Sequence, residues 1–217
     1  MHFVLTLHSH LPYVLNHGRW PHGSDWLCEA ALDTYLPLLE ALSTLKEEGR
    51  ESPVTLGITP ILANQLASPR FREEMDAFFK QRLEACDEAP ASLAESGDQE
   101  LLPLVDFWRA RFLRFRDLFE KVDGDLLGAF RKLEEEARLE IMSSAATHGF
   151  LPLLGREESV RLQLDVGFSE HRRLFGRDPR GCWAPECAYR PEGTWDPIPG
   201  VSRAVQRAGV EEFLAEA

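Results

Sequence analysis

The sequence predicts an α/β protein in which a run of parallel strands is interrupted by an inserted helical subdomain. Three observations carry that expectation. Short apolar runs end repeatedly in histidine or a carboxylate. Amphipathic stretches at helical spacing lie between them. One long central span shows helical periodicity and no strand signal, so strand–helix–strand units stand on either side of a helical block.

Phe3 to Leu7 is apolar and ends in His8-Ser9-His10-Leu11-Pro12, the pattern of a buried strand with polar side chains at its carboxyl end. A loop through Gly18, Trp20, Pro21 and Trp26 follows. Leu32, Leu36, Leu39, Leu42 and Leu45 then recur at helical spacing, with Gly49 as the stop. Val54 to Thr59 is the second strand, closed by Pro60. From Ile61 to Leu139 the signals are helical: Phe71 to Cys86, a linker over Asp87 to Asp98, and Leu101 to Val122. In the last of these, Leu104, Trp108, Phe112, Phe115 and Phe119 share a side and arginines lie between them. Asp123-Gly124-Asp125 breaks that helix, and Leu126 to Arg138 resumes it. Leu139 to Ala145 is the third strand and Glu157 to Phe175 an amphipathic helix. Gly181 to Glu186 is a short strand and its exit. Val201 to Ala208 reads as the next helix with Gly209 as its cap, and a further strand falls due within Val210 to Ala217. The domain reading is 1–66 as the first part of the α/β domain, 67–138 as the helical insertion, and 139–217 as the continuation.

Composition limits the function classes. The 217 residues are 44% hydrophobic, enough for a real core in one or two domains. Lys and Arg number 24 against 36 Asp and Glu, for a formal charge of −12. That balance repels phosphate backbones and anionic lipid, so neither nucleic acid nor membrane is expected as a partner. The arginine–aromatic interleaving on 101–122 is read as helix packing with solvated arginines. The N-terminus has no basic region before its short apolar run, and no stretch approaches the ~20 apolar residues of a membrane span. A cytoplasmic protein is expected. Cys28, Cys86, Cys182 and Cys187 show no CxxC pair or zinc spacing and are read as reduced, with Cys182 and Cys187, which flank Glu186, as small buried side chains; no cofactor is expected.

In parallel α/β folds, functional side chains collect at the carboxyl ends of strands. Three strand ends here offer His8 with His10, His148, and Glu186. Residues two apart on a strand point the same way, so His8 and His10 face one site. Trp183 and Tyr189 lie beside Glu186, and aromatic faces with imidazoles and a carboxylate suit sugar recognition. Ala184 precedes Pro185, which favours extended backbone and presents Glu186 at the strand's exit. Read from the residues alone, other roles remain open. Each histidine can be structural, Glu186 can pair with Arg190, and three imidazoles can form a zinc site of a metal-dependent hydrolase or deacetylase.

Four segments sharpen this. His8-Ser9-His10-Leu11-Pro12-Tyr13-Val14, Leu56-Gly57-Ile58-Thr59-Pro60, Ala146-Thr147-His148-Gly149 and Trp183-Ala184-Pro185-Glu186-Cys187-Ala188-Tyr189-Arg190-Pro191 follow in order. They resemble successive signature segments of glycoside hydrolase family 57, and most closely its 1,4-α-glucan branching enzymes. The resemblance implies a distorted (β/α)7 barrel of the TIM type, present here in part, and a retaining mechanism. In that reading Glu186 is the nucleophile and His10, His8, His148, Trp183 and Tyr189 bind substrate. The reaction would transfer an α-1,4-glucan (amylose, glycogen) to a sugar 6-hydroxyl, building the α-1,6 branches of glycogen. Retention needs a second carboxyl ~5–5.5 Å from the first. The family's general acid is an aspartate on a later strand, and none of Asp165, Glu170, Asp178, Glu192 or Asp196 is expected to replace it. The chain is therefore expected to be an N-terminal portion, inactive alone, whose partner would be the C-terminal half. A 4-α-glucanotransferase or α-amylase of the same family, and a non-catalytic glucan-binding remnant, are the alternatives.

Overall fold

A computed structural model describes residues 3–50, 54–198, 200–201 and 203–217. In chain order the strands and helices begin with β1 (Leu5–Ser9), α1 (Ser24–Ala30), α2 (Leu36–Glu47), β2 (Val54–Ile58) and α3 (Pro60–Leu66). A π-helical turn, Ala31–Tyr35, joins α1 to α2. Next come α4 (Pro69–Ser96), α5 (Leu102–Lys121), α6 (Leu126–Glu135) and β3 (Leu139–Ser144). The chain continues through α7 (Glu157–Phe175), β4 (Cys182–Trp183), β5 (Gly193–Trp195), β6 (Val205–Arg207) and α8 (Val210–Glu216).

These elements form two compact units. One comprises Met1–Tyr13, Pro53–Asn64 and Glu134–Ala217, the other Val14–Ser52 and Gln65–Leu133. The second unit takes in residues 14–52 along with most of the 67–138 span, because α1 packs on α4 and α2 on α5.

The first unit is built on a four-stranded sheet in the order β1-β2-β3-β4, every pair parallel. This is an α/β arrangement with consecutive strands adjacent, the first part of a β/α barrel. Parallel strands covered on both faces read as continuous apolar runs, and β3 (Leu-Glu-Ile-Met-Ser-Ser) is buried at all but one position. β1 is an edge strand; Phe3 and Val4 just before it are 80% and 74% exposed. Against β3 lies α7, through the stripe Val160, Leu164, Gly167, His171 and Phe175. Gly167 is the contact point. A Cβ there would collide with the Ser144 carbonyl oxygen and press on the Ala146 backbone nitrogen at 3.1 Å. The helix ends at Gly176, whose φ of 75° is left-handed and suits glycine. A small core of Ala145, Leu151, Val160, Leu164, Val210 and Phe213 ties α7 to α8.

In the second unit α4 and α5 run together for most of their lengths. Phe71 and Phe79 from α4 pack on Phe119 from α5, with ring centroids 5.9 and 6.2 Å apart. The arginines of α5 lie over aromatic rings, Arg111 and Arg114 at 4.8 and 4.7 Å from Phe115. Of the expected apolar stripe, Phe115 and Phe119 are buried while Leu104 and Trp108 are exposed.

Three expectations are corrected. Residues 87–98 are not a linker: α4 runs through Pro90 to Ser96 and ends at left-handed Gly97. α4 lies alongside α5, and that tertiary context outweighs the proline's local preference. Residues 201–208 are not a helix (Ser202 lies outside the described residues). Val205–Arg207 pairs antiparallel with Gly193–Trp195 instead. Arg207 explains the choice, since its guanidinium donates to the Leu154 carbonyl at 2.8 Å and covers the Trp195 ring. Within 210–217 there is a helix, α8, where a strand was due. Gly209 caps its start, its N–H donating to the Glu212 carboxylate at 2.8 Å.

Gly167→Ala separates local propensity from packing. In a helix interior this change ordinarily stabilises by about 1 kcal/mol. Here the methyl meets backbone, and the expected outcome is a loss of about 1–3 kcal/mol, read as a lower urea midpoint. An unchanged or higher midpoint would contradict the close approach of α7 to β3.

Candidate active site

The carboxyl ends of the four parallel strands carry the candidate residues. His8 is the fourth residue of β1, and His10 follows the strand. Gly57 of β2 lies opposite His8 in the register. It leaves room for the imidazole, because a Cβ there would be 3.2 Å from His8 Nδ1. Past β2, Thr59 Oγ1 sits 3.1 Å from His10 Nδ1 and fixes that ring. Past β3, the chain turns through His148, whose φ of 57° is left-handed. After β4, Ala184 is extended (φ −65°, ψ 120°), and Glu186 and Cys187 are both left-handed at φ 57° and 53°. Non-glycine residues rarely adopt this region, and each costs of order 1–3 kcal/mol unless its surroundings impose it.

The structure brings together five of the six predicted side chains. Trp183, His8, His148 and His10 stack in that sequence, with centroids 4.6, 4.9 and 4.1 Å apart and interplanar angles of 14°, 21° and 26°. His148 is in the middle of the stack with only 3% of its side chain exposed. Its Nε2 faces Glu186 Oε1 at 3.7 Å, and the Glu186 side chain is 66% exposed. Tyr189 takes no part in the stack; it is exposed, with its hydroxyl bonded to Glu211. Arg190 does not pair with Glu186, its guanidinium donating to the Pro191 and Ala208 carbonyls. The expectation that Cys182 and Cys187 are buried is corrected: Cys182 is half-buried and Cys187 is exposed on the left-handed turn, and all four cysteines are free thiols.

Burial holds His148 well below the usual imidazole range, at about 4, with the neighbouring His10 and His8 adding to the effect. His8 and His10 are lowered for the same first reason. His10 lowers His8 further, and Glu186 partly offsets the shift in both. A neutral stack of imidazoles and indole turns ring edges rather than faces outward along its length, beside a carboxylate. That arrangement can accept or donate single hydrogen bonds to sugar hydroxyls. It does not converge nitrogen lone pairs on one point, since stacked rings direct them outward in parallel planes. Among the described residues no group of three or more His, Cys, Asp or Glu is placed to hold a metal ion.

Sequence reading missed Ser144 and Thr59, the hydroxyls that fix His148 and His10. Both end strands, the signal that picked out the histidines. Ser144 Oγ lies 3.2 Å from His148 Nδ1 and donates to the Trp183 carbonyl at 2.8 Å.

The profile of Glycosyl hydrolase family 57 matches residues 4–217. A 1,4-alpha-glucan branching enzyme of Thermococcus kodakarensis is 37% identical over 215 residues, 99% of this chain and 31% of that enzyme. The crystal structure of a GH57-type branching enzyme from Pyrococcus horikoshii superposes with a TM-score of 0.92 at 40% identity, over 98% of this chain and 39% of that one. The alpha-amylase AmyC of Thermotoga maritima superposes at 0.77 with 28% identity, over 98% and 37%. The chain thus spans 31% of the length of the curated relative from Thermococcus.

The depressed imidazoles make stability depend on acid. The unfolded chain protonates its histidines near pH 6.5, whereas folded His148 stays neutral to about 4, as does buried His171. Between those values the unfolded state binds more protons, so stability falls as pH drops through the window. Urea midpoints taken across it should decline. The decline should be shallower in His148→Gln, and an identical slope in the variant would contradict the burial of a neutral ring.

Proposed function

Because the chain belongs to glycosyl hydrolase family 57, we propose that it carries the nucleophile-bearing part of a retaining 1,4-α-glucan branching site. The observation that carries the proposal is the Glu186–His148 pair, set on left-handed backbone beside the Trp183–His8–His148–His10 stack. In this reading Glu186 attacks the anomeric carbon of an α-1,4-glucan, the glycosidic C–O bond breaks, and a covalent glycosyl-enzyme forms. The 6-hydroxyl of an acceptor glucan then displaces Glu186, restoring the carboxylate and leaving an α-1,6 branch. The edges of the stacked rings line the sugar; His8, His10 and His148 bind its hydroxyls, Trp183 packs beside it at the end of the stack, and Tyr189 contacts the chain at the exposed rim. The location proposed is the cytoplasm and the role the branching of glycogen. No helix among the described residues is long and apolar enough to cross a membrane.

A retaining reaction needs a second carboxyl ~5–5.5 Å from the nucleophile, acting first as acid and then as base. Three of the five acids considered in this chain are engaged elsewhere. Glu170 is held by Arg173 and Asn64, Asp178 by Arg172, and Glu192 by Gln206. Asp165 is on α7. We propose that the acid comes from a segment beyond these 217 residues, joined to the sheet where β1 and β4 are its edges. Water as acceptor would make the same site hydrolytic, and the likeness to an alpha-amylase structure favours that as the second reading.

Two measurements test the proposal. The purified chain incubated with amylose should form no α-1,6 linkages by chain-length analysis; any that appear would show that the acid is already present. A nucleophile can still react with a donor whose leaving group needs no proton. With α-maltotriosyl fluoride, the C1–F bond breaks as a C1–O bond to Glu186 forms. The expected outcome is fluoride release and a glycosylated peptide containing Glu186, lowered by at least about 10³-fold in Glu186→Gln. Label persisting in that variant would remove Glu186 from the role.

A further inference from the structure

One proton in the site can be assigned from the bonding around it. Ser144 Oγ, buried at the end of β3, donates to the Trp183 carbonyl at 2.8 Å. A serine hydroxyl has a single proton, and a peptide carbonyl can only accept. The same oxygen lies 3.2 Å from His148 Nδ1. With its proton committed to Trp183, Ser144 can only accept at that second contact, so Nδ1 must carry the hydrogen.

We infer that Ser144 is a positioning residue that fixes His148 as the Nδ1–H tautomer and leaves Nε2 as a bare acceptor for a substrate hydroxyl, 3.7 Å from Glu186 Oε1. The opposite tautomer would require Ser144 to donate to Nδ1. The Trp183 carbonyl would then face a serine oxygen 2.8 Å away with no hydrogen between them. A ring flipped by 180° would put Cδ2 where Nδ1 now lies 3.2 Å from Ser144 Oγ and would lose that hydroxyl contact. Among the described residues, the groups facing the imidazole are His8 from β1, His10 beyond it, Ser144 from β3 and Glu186 from the turn after β4. Burial keeps the ring neutral at pH 7, so double protonation does not blur the assignment.

The consequence is chemical. A donating Nε2–H would hydrogen-bond the Glu186 carboxylate and withdraw electron density from it. A bare Nε2 does neither. It and Glu186 Oε1 form a pair of acceptors over one space, which selects a ligand bearing a hydroxyl donor beside the reacting carbon, as a pyranose does. The substrate part of this inference rests on the glucan reading above; the tautomer does not.

Long-range ¹⁵N–¹H correlation spectra of the full chain read the tautomer directly. In the wild type, the His148 Nδ1 resonance is expected in the protonated, pyrrole-like range and Nε2 in the bare, pyridine-like range. Ser144→Ala should exchange or average the two, and Ser144→Thr, which keeps the hydroxyl, should preserve them. A protonated Nε2 in the wild type overturns the inference even if Ser144→Ala fails to fold, as does a folded Ser144→Ala with unchanged shifts. Added maltoheptaose should move the Nε2 resonance toward the protonated range. Histidine resonances indifferent to the glucan would count against the substrate reading while leaving the tautomer assignment standing.

Discussion

Two residue pairs hold β4 in the sheet, Ser143 with Cys182 and Ser144 with Trp183, and the position of Glu186 follows from them. Side chains alternate along a strand, so a slip of one residue would turn Trp183 away from His8 and carry the exit turn with it. So short a ladder is weakly specified by backbone alone. The Ser144 hydroxyl adds a bond to the Trp183 carbonyl at the position where the register must not slip. On the other side of the same residue, α7 closes in through Gly167, where only a missing side chain allows the approach to the Ser144 carbonyl. The Gly167 carbonyl in turn accepts from Ser143 Oγ. The end of β3 is thereby gripped by a neighbouring strand and a helix, and the site hangs from it.

That grip explains why strained backbone persists at the site. His148, Glu186 and Cys187 all have left-handed φ without being glycine. Such conformations persist only where surrounding bonds outweigh their cost. At His148 the supports are the Ser144 contact and two flanking rings. At Glu186 they are the extended Ala184–Pro185 lead-in and the turn bonds from Cys187 to Ala184 and from Ala188 to Pro185. The two strained residues point their functional atoms at each other. Strain of this kind pre-positions a carboxylate that the strand direction alone would aim elsewhere.

Much of this was legible in the sequence, for identifiable reasons. His8 and His10 are two apart at a strand end, so a shared face follows from the strand period, and the ring contacts to His148 bear out their convergence. The helix over 157–175 was readable because its apolar positions recur at helical spacing and glycine follows. What escaped depended on partners distant in sequence. Val205–Arg207 has no local strand signature; its pairing with Gly193–Trp195 is fixed by Arg207 reaching Leu154 and Trp195. The helix through Pro90 exists because α5 lies alongside, which periodicity within 87–98 cannot reveal. Ser144 looked like the polar tail of a strand, and only the opposing Trp183 carbonyl shows where its one proton goes.

The site has a dry side and a wet side, and the division has mechanistic weight. His148 is sealed at 3% exposure while Glu186, less than 4 Å away at 3.7 Å, remains 66% exposed. Charge–charge terms near water are screened several-fold relative to an enclosed site. The stacked rings can therefore orient a ligand without needing charge, which the imidazoles lack at neutral pH. If Glu186 is the proposed nucleophile, its leverage on a developing positive centre must come from being enclosed when a substrate covers it. In the proposed glucan reading, the polymer itself can cover the carboxylate and exclude water from it. On this view the stacked imidazoles work as a shaped, uncharged floor, and Glu186 works as the single charge raised above it.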